Sequence, residues 1–352
     1  MNIADLDTPA VLVDLDRVER NLARWQAYCD RHGIRNRPHV KTHKVVELAR
    51  RQVALGAVGI CCQKLGEAEV MAACGLDDIL IPFNLLGTAK LGRARELAAR
   101  IALEVSADSA PVVDGLAEAF AGTGRPLPVL VECDTGARRC GVQTPEAARD
   151  LALRIAAAPG LRLGGLMTYP AKGAPDRAAV FLAEAKALIE AAGVAVPKVS
   201  SGGTPDMWRA HEHAVVTEYR VGTYIYNDLM EVACGAASLE DCALTVLTTV
   251  VSRPTPDRAI LDAGSKSLTS DLNGQTGHGR IVEHPEAVIY GLSEEHGHVD
   301  LTACPTRPAL GQKVRIVPNH ACPVSNLFDR IVTVHGDRVE GSLAVAARGR
   351  VA

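Results

Sequence analysis

A (β/α)8 TIM-like barrel followed by a second, mostly antiparallel β domain is the architecture that this 352-residue chain predicts. Three observations predict it. Short apolar runs alternate with Ala/Leu/Arg/Glu-rich stretches of helical spacing, the pattern of repeated β/α units. After about Ala236 the texture changes to β-branched segments punctuated by Gly, Pro and Asp, such as CALTVLTTVVSRP and DRIVTVHGDRVEG, which read as antiparallel strands and turns. The length also exceeds the roughly 100–200 residues of a usual single domain, which favours a large domain with a smaller one.

The barrel strand candidates run in order Pro38–Lys41, Val58–Cys62, Ile79–Pro82, Ile101–Val105, Pro128–Cys133, Leu161–Thr168, Lys198–Ser200 and Val215–Tyr219. Between them lie helix-like segments including VVELARRQVALG, KLGEAEVMAACG, PEAARDLALRIAAA and RAAVFLAEAKALIEAA. Short apolar runs suit buried helix pieces equally, so periodicity alone leaves an open doubly wound sheet as the alternative. The opening strand candidate, Ala10–Asp14, precedes the eight and is spare, available to the C-terminal β domain. The expected division is a barrel over 11–235 and a β domain over 236–352, joined by the N-terminal segment 1–10.

Composition excludes several functions. Hydrophobic residues make up 47% and charged residues 22%, and 38 Lys plus Arg stand against 41 Asp plus Glu for a net charge of −3. This is ordinary for a soluble protein. No basic run suggests nucleic acid, and no apolar run approaches the ~18 residues of a membrane span. The opening residues lack a basic-then-apolar signal pattern, so a cytoplasmic location is expected. In that compartment the ten cysteines are expected to be reduced. Cys61 and Cys62 are adjacent, without C-x-x-C spacing, and read as small buried hydrophobes.

The chemistry-bearing residues fall at the ends of the strand candidates, where β/α barrels gather their sites. Lys41, in RPHVKTHK, ends the first. A lysine there can form a Schiff base with an aldehyde cofactor, the alternative being a surface lysine in a basic turn. His39 and His43 flank it at alternating positions. An arginine of DTGARRCG, Arg138 or Arg139, after the strand VLVEC, can donate to the phenolate of a pyridoxal ring or pair with Asp134 or Glu132. Ser200-Ser201-Gly202-Gly203-Thr204-Pro205 follows the seventh strand, and Val221-Gly222-Thr223-Tyr224 follows the eighth. Glycines with flanking hydroxyls cradle phosphate, and sites after strands seven and eight suit this barrel. Gly-Gly is also an ordinary turn. Late in the chain, His320 and Cys322 stand two apart on a segment read as extended, projecting to one side as two ligands of a single divalent metal. The alternative is an unrelated His and a buried Cys.

The ordered blocks DTPAVLVDLDRVERNL, RPHVKTHK, GICCQKLGEAE, ECDTGARRCGV, SSGGTP, YRVGTY, LDAGSKS, SEEHG and PNHACPVSNLFD run almost the whole length. In them the chain resembles the D-threonine aldolase and D-serine dehydratase-like family, of the alanine-racemase-like fold type III. The resemblance implies pyridoxal 5′-phosphate held by Lys41, with Arg139 on the ring O3′ and Tyr169 near the cofactor. It implies phosphate binding by Ser201 through Thr204 and Gly222 through Tyr224, and a divalent metal, Zn2+ or Mn2+, on His320 and Cys322. Arg220 stands where alanine racemases set an arginine against the pyridine nitrogen. The chain departs from the aldolases after Tyr169, where PAKGAPD replaces their histidines. The catalytic base is thereby left open between Lys172 and a metal-bound hydroxide.

The resemblance implies a lyase that cleaves D-3-hydroxy amino acids to glycine and an aldehyde by retro-aldol chemistry. A D-serine or D-threo-3-hydroxyaspartate dehydratase, releasing a keto acid and ammonia, uses the same parts. A racemase and a non-catalytic pyridoxal-phosphate-binding protein are the remaining alternatives; neither needs the metal pair. A small D-amino acid is the expected partner, and a homodimer is expected from the family.

Overall fold

The computed structural model describes residues 1–352. In chain order it carries β1 (Ala10–Asp14), α1 (Leu15–His32), β2 (Arg35–Asn36), α2 (Val46–Ala54), β3 (Ile60–Cys61), α3 (Leu65–Ala73), β4 (Asp78–Ile81), α4 (Thr88–Ala98) and β5 (Ala102–Ala107). There follow α5 (Ala110–Phe120), β6 (Leu127–Cys133), α6 (Pro145–Ala157), β7 (Leu161–Thr168), α7 (Pro175–Ala191), β8 (Val199–Gly202), β9 (Glu218–Arg220) and α8 (Leu229–Ala233). The C-terminal part has β10 (Leu244–Thr255), β11 (Arg258–Leu261), β12 (Arg280–Ile281), β13 (Val288–Leu292), β14 (Gly297–Asp300), β15 (Lys313–Val317), α9 (Ala321–Leu327), β16 (Arg330–His335) and β17 (Arg338–Ala344). Two compact units result: Trp25–Lys41 with Ala49–Gly222 and Arg350–Ala352, and Met1–Arg24 with Thr42–Leu48 and Thr223–Gly349.

The first unit is the expected barrel. Its eight strands run β2-β9-β8-β7-β6-β5-β4-β3, every pair parallel. A single parallel bridge between His39 and Cys61 closes β2 onto β3. The helices form where the sequence caps them. In α6 the Thr144 hydroxyl accepts from Ala147 N, Pro145 starts the first turn, and Ala148, Leu151, Ala152 and Ile155 are buried along one face. In α7 the buried residues Ala178, Leu182, Ala185 and Ile189 keep the same stripe.

The strands at the start and end of the barrel differ from expectation. The run Pro38–Lys41 is not a strand. The ladder is confined to Arg35–Asn36, and Val40–Thr42 is a 3-10 turn. Pro38 has no N–H to give a ladder; its carbonyl accepts from Cys61 N at 2.8 Å and His39 N donates to Val221 O at 2.7 Å. His39, Lys41 and His43 therefore do not alternate along a strand. The eighth strand begins at Glu218, because Val216 N is turned back onto His213 O.

A layer of buried charge lies inside this barrel. Glu218 is fully buried and accepts from Arg37 Nε at 3.0 Å and from Ser200 Oγ at 2.8 Å, with Lys198 Nζ 3.7 Å away. Arg37 also pairs with Asp78 at 2.6 Å, and Lys198 with Glu104. Burial by itself raises the Glu218 carboxyl, but Arg37 and Lys198 outweigh it and hold the group at about 2.

The second unit is the mostly antiparallel sheet, ordered β13-β14-β11-β10-β1-β16-β17, with β15 against β10 and β12. The spare strand β1 is taken into it, antiparallel to β10 and parallel to β16. Ile3, Leu12, Leu247 and Val334 form a core cluster there. All ten cysteines are free, and no helix is long and apolar enough to cross a membrane.

Because the Glu218 carboxyl sits at about 2 when folded and near 4.5 otherwise, its contribution to stability is complete above that upper value and is lost as pH falls toward the lower one. Glu218→Gln is expected to cost about 3–5 kcal/mol at neutral pH, since it leaves buried cations short of a partner. It should also flatten the acid loss of stability below the 4.5 value. Urea denaturation at neutral and acid pH measures both.

Candidate active site

Lys41 sits on the 3-10 turn that follows the shortened β2, half-buried, in a cavity of about 300 Å³ lined also by Gln63, Pro82, Phe83, Asn84, Glu132, Arg139 and Cys140. The sequence thus brings the predicted Lys41 and Arg139 to one cavity. Lys41 Nζ donates to Gln63 Oε1 at 3.4 Å. His39, buried beside it, is held well below the ordinary histidine value, first by burial and then by the charges of Lys41, Arg220 and Arg139. Arg139 is not paired as one alternative proposed. Asp134 is occupied by Gly136 N at 2.9 Å and Arg138 N at 3.1 Å, and the Arg139 guanidinium lies 4.7 Å from the centre of the Tyr169 ring. Burial raises the Glu132 carboxyl even though Arg139 and Arg220 oppose it. Arg220 is buried, with its two terminal nitrogens committed to Ser200 Oγ at 2.6 Å and Thr168 O at 2.7 Å.

Ser201 and Gly202 end β8, and Gly203 and Thr204 continue it into a loop. A Cβ on Gly202 would run into the Arg220 carbonyl, so no side chain fits. Gly203 has more room, its nearest neighbour being a Tyr169 ring carbon at 3.4 Å, but its φ of +121° disfavours any other residue. Its N–H is committed to Arg220 O at 2.9 Å. Thr204 Oγ1, in the same loop, is buried and makes no hydrogen bond. An unsatisfied buried hydroxyl beside two backbone-constrained glycines fits a phosphate oxygen. Tyr169, Gly202, Gly203 and Lys172 line one shallow depression, with Lys172 exposed. Gly222 leads into the short 3-10 turn Thr223–Ile225.

In the other unit, His320 and Cys322 are not on an extended segment. His320 is the N-cap residue of α9, and Cys322 lies in its first turn. Asp228 holds His320 in place. Its Oδ2 accepts from His320 Nδ1 at 3.0 Å and from Ala321 N at 2.8 Å, while Oδ1 caps α8 at Glu231 N, 3.1 Å away. The Cys322 thiol lies 3.2 Å from Thr42 Oγ1 and 3.9 Å from Thr223 Oγ1. Burial disfavours a charged His320, but the Cys322 thiolate and Asp228 raise it to about 11. An imidazole fixed by a carboxylate next to a thiol is a donor set that fits a borderline divalent cation.

Sequence reasoning missed Asp228 and Gln63. Gln63 lies inside GICCQKLGEAE, but nothing in its spacing marks a role. Asp228 lies far along the chain from His320 and carries no local signal.

The matches with known proteins agree with this architecture. Residues 13–229 match the family model for the alanine racemase N-terminal domain, and 243–334 that for a putative serine dehydratase domain. The class defined by fold and site is thus an alanine-racemase-type barrel with an appended β domain. Within that class the chain belongs to the family of D-threonine aldolases and D-threo-3-hydroxyaspartate dehydratases. It is 36% identical to a D-threonine aldolase of Arthrobacter sp, over 99% of this chain and 94% of that one. It is 35% identical to the D-threo-3-hydroxyaspartate dehydratase of Delftia sp. (strain HT23), over 92% and 93%. The crystal structure of D-threonine aldolase from Filomicrobium marinum superposes with a TM-score of 0.92 at 34% identity, covering 99% of this chain and 98% of that one.

Asp228 stabilises two helix starts at once. Asp228→Ala is expected to cost about 1–3 kcal/mol by leaving buried donors unsatisfied. Asp228→Asn, which keeps one acceptor oxygen, should cost less. Urea midpoints of the two variants give the comparison; equal stability of Asp228→Ala and the unmodified chain contradicts the double-cap assignment.

Proposed function

We propose that this chain is a pyridoxal 5′-phosphate- and divalent-metal-dependent lyase that cleaves D-3-hydroxy amino acids to glycine and an aldehyde. The observation that carries the reading is the pair of Cys322 and an Asp228-held His320 in a chain that also sets Lys41 beside Arg139. A racemase or a cofactor carrier has no use for such a pair. The similarity to D-threonine aldolase over 99% of the chain supports it further.

In this reading Lys41 carries the cofactor, Arg139 donates to the ring O3′, and Tyr169 flanks it. Ser201, Gly202, Gly203 and Thr204 hold the phosphate with Gly222, Thr223 and Tyr224. The pyridoxal ring, when bound, takes up the electron pair released at Cα. His320 and Cys322 hold Zn2+ or Mn2+, a Lewis acid for the β-hydroxyl. Asp228 fixes the imidazole through Nδ1, which would leave Nε2 to hold a cation. His39 stays neutral and so adds no positive charge beside Lys41.

A second reading is a dehydratase of the same substrates, giving a keto acid and ammonia. It is favoured by the segment after Tyr169, which offers the exposed Lys172 and no imidazole as a base. Product analysis on D-threonine, D-serine and 3-hydroxyaspartate separates the two.

Three outcomes are expected. Borohydride should fix the cofactor on Lys41, and Lys41→Ala should abolish that mass tag. Chelation should stop turnover while leaving the cofactor attached, and activity in protein shown to be metal-free by elemental analysis overturns the metal assignment. Cys322→Ser should raise the metal concentration needed for activity, because a neutral hydroxyl replaces a thiolate poorly.

A further inference from the structure

We propose that Gln63 is a positioning residue for Lys41, its side-chain oxygen holding the lysine amine whenever that amine is not bonded to an aldehyde carbon. The proposal rests on the assignment of Lys41 above as the cofactor-bearing lysine.

Gln63 Oε1 accepts from Lys41 Nζ at 3.4 Å and lies 3.0 Å from His39 Nε2. Gln63 is itself pinned. Its backbone N donates to Glu67 Oε2 at 2.6 Å, and its Nε2 to Pro82 O at 3.4 Å. The protons follow from this arrangement. Lys41 N donates to His39 Nδ1 at 3.4 Å, so on a neutral ring the hydrogen is on Nε2 and points at Gln63 Oε1. Burial keeps the ring neutral. With a donor fixed on one side and the Pro82 carbonyl on the other, the amide cannot flip without losing both contacts. Its oxygen therefore faces the lysine.

The chemistry of the lysine gives that oxygen a use. Condensation of the ammonium with an aldehyde forms a C=N bond and releases one water and one proton, so the nitrogen gives up the hydrogens it offered to Gln63. Exchange of the lysine for an incoming substrate amine restores them. The Gln63 contact is thus made only in the free-amine state. A lysine has a long, flexible stem, and the cavity leaves it room to swing. A fixed acceptor returns it to one place and favours its displacement.

The test compares two ligands on the full chain. Pyridoxal 5′-phosphate reads phosphate, ring and C=N bond together; pyridoxine 5′-phosphate, an alcohol in place of the aldehyde, reads phosphate and ring alone. The ratio of their affinities isolates the lysine, and the lost His39 contact cancels because it is common to both. Gln63→Met removes the acceptor at similar volume and is expected to raise the ratio about two- to tenfold, the worth of one hydrogen bond. Gln63→Glu offers a carboxylate to the free ammonium and is expected to lower it. A structural role moves both ligands, and both variants, the same way. An unchanged ratio, or one shifted in the same direction by the two substitutions, overturns the proposal. Equal binding of the two ligands by the unmodified chain and by Lys41→Ala overturns the lysine assignment instead, so the two failures are distinguishable.

Discussion

A carboxylate in the interior of a barrel must be answered by cations, and Glu218 imposes that condition on this fold. It draws Arg37 and Lys198 to itself, and each of them reaches a further acid, Asp78 and Glu104. The residues come from the region of β2, β4, β5, β8 and β9, so one neutralised cluster ties together strands distant in sequence. Its energetic sense is specificity as much as stability. Mispaired strands would strand at least one of these charges in a dry interior, at several kcal/mol. The consequence reaches the site directly: Arg37 is fixed, Pro38 and His39 make the last contacts of the ladder, and the chain then turns to present Lys41.

The site itself follows a second rule, that buried polar groups are placed by backbone or by another side chain whose own position is fixed. His39 takes its tautomer from Lys41 N and Gln63; His320 takes its orientation from Asp228; Asp134 is consumed by its own loop. Thr204 Oγ1 is one buried group left without a partner. The glycines serve the same end in two different ways. Gly202 is required because a neighbouring carbonyl leaves no space, and Gly203 because its backbone angle admits little else.

Much of this was legible in the sequence, and the legible part is the local part. The stripe Ala148, Leu151, Ala152, Ile155 behind Thr144-Pro145 is a helix by spacing and capping alone. The alternation of such stretches with short apolar runs is a barrel by repetition. Lys41, Arg139, the SSGGTP run and the His320/Cys322 pair were visible as residue types suited to one chemistry, and the ordered blocks tied them to a family.

Only the tertiary structure decided the rest. Local preference cannot say that β1 joins β10 and β16, because its partners lie at the other end of the chain. Nor can it say that Lys41 stands on a 3-10 turn, since a short apolar run reads equally as strand or turn until Pro38 meets Cys61. His320 and Cys322 looked like alternating strand residues and stand instead at a helix start, His320 held there by an aspartate 92 residues away. Gln63 had no signal at all until the barrel closed around it. Periodicity and capping are written in neighbouring residues and can be read there. Which buried donor meets which acceptor is settled by packing across the chain, and that is where Asp228 and Gln63 acquire their roles.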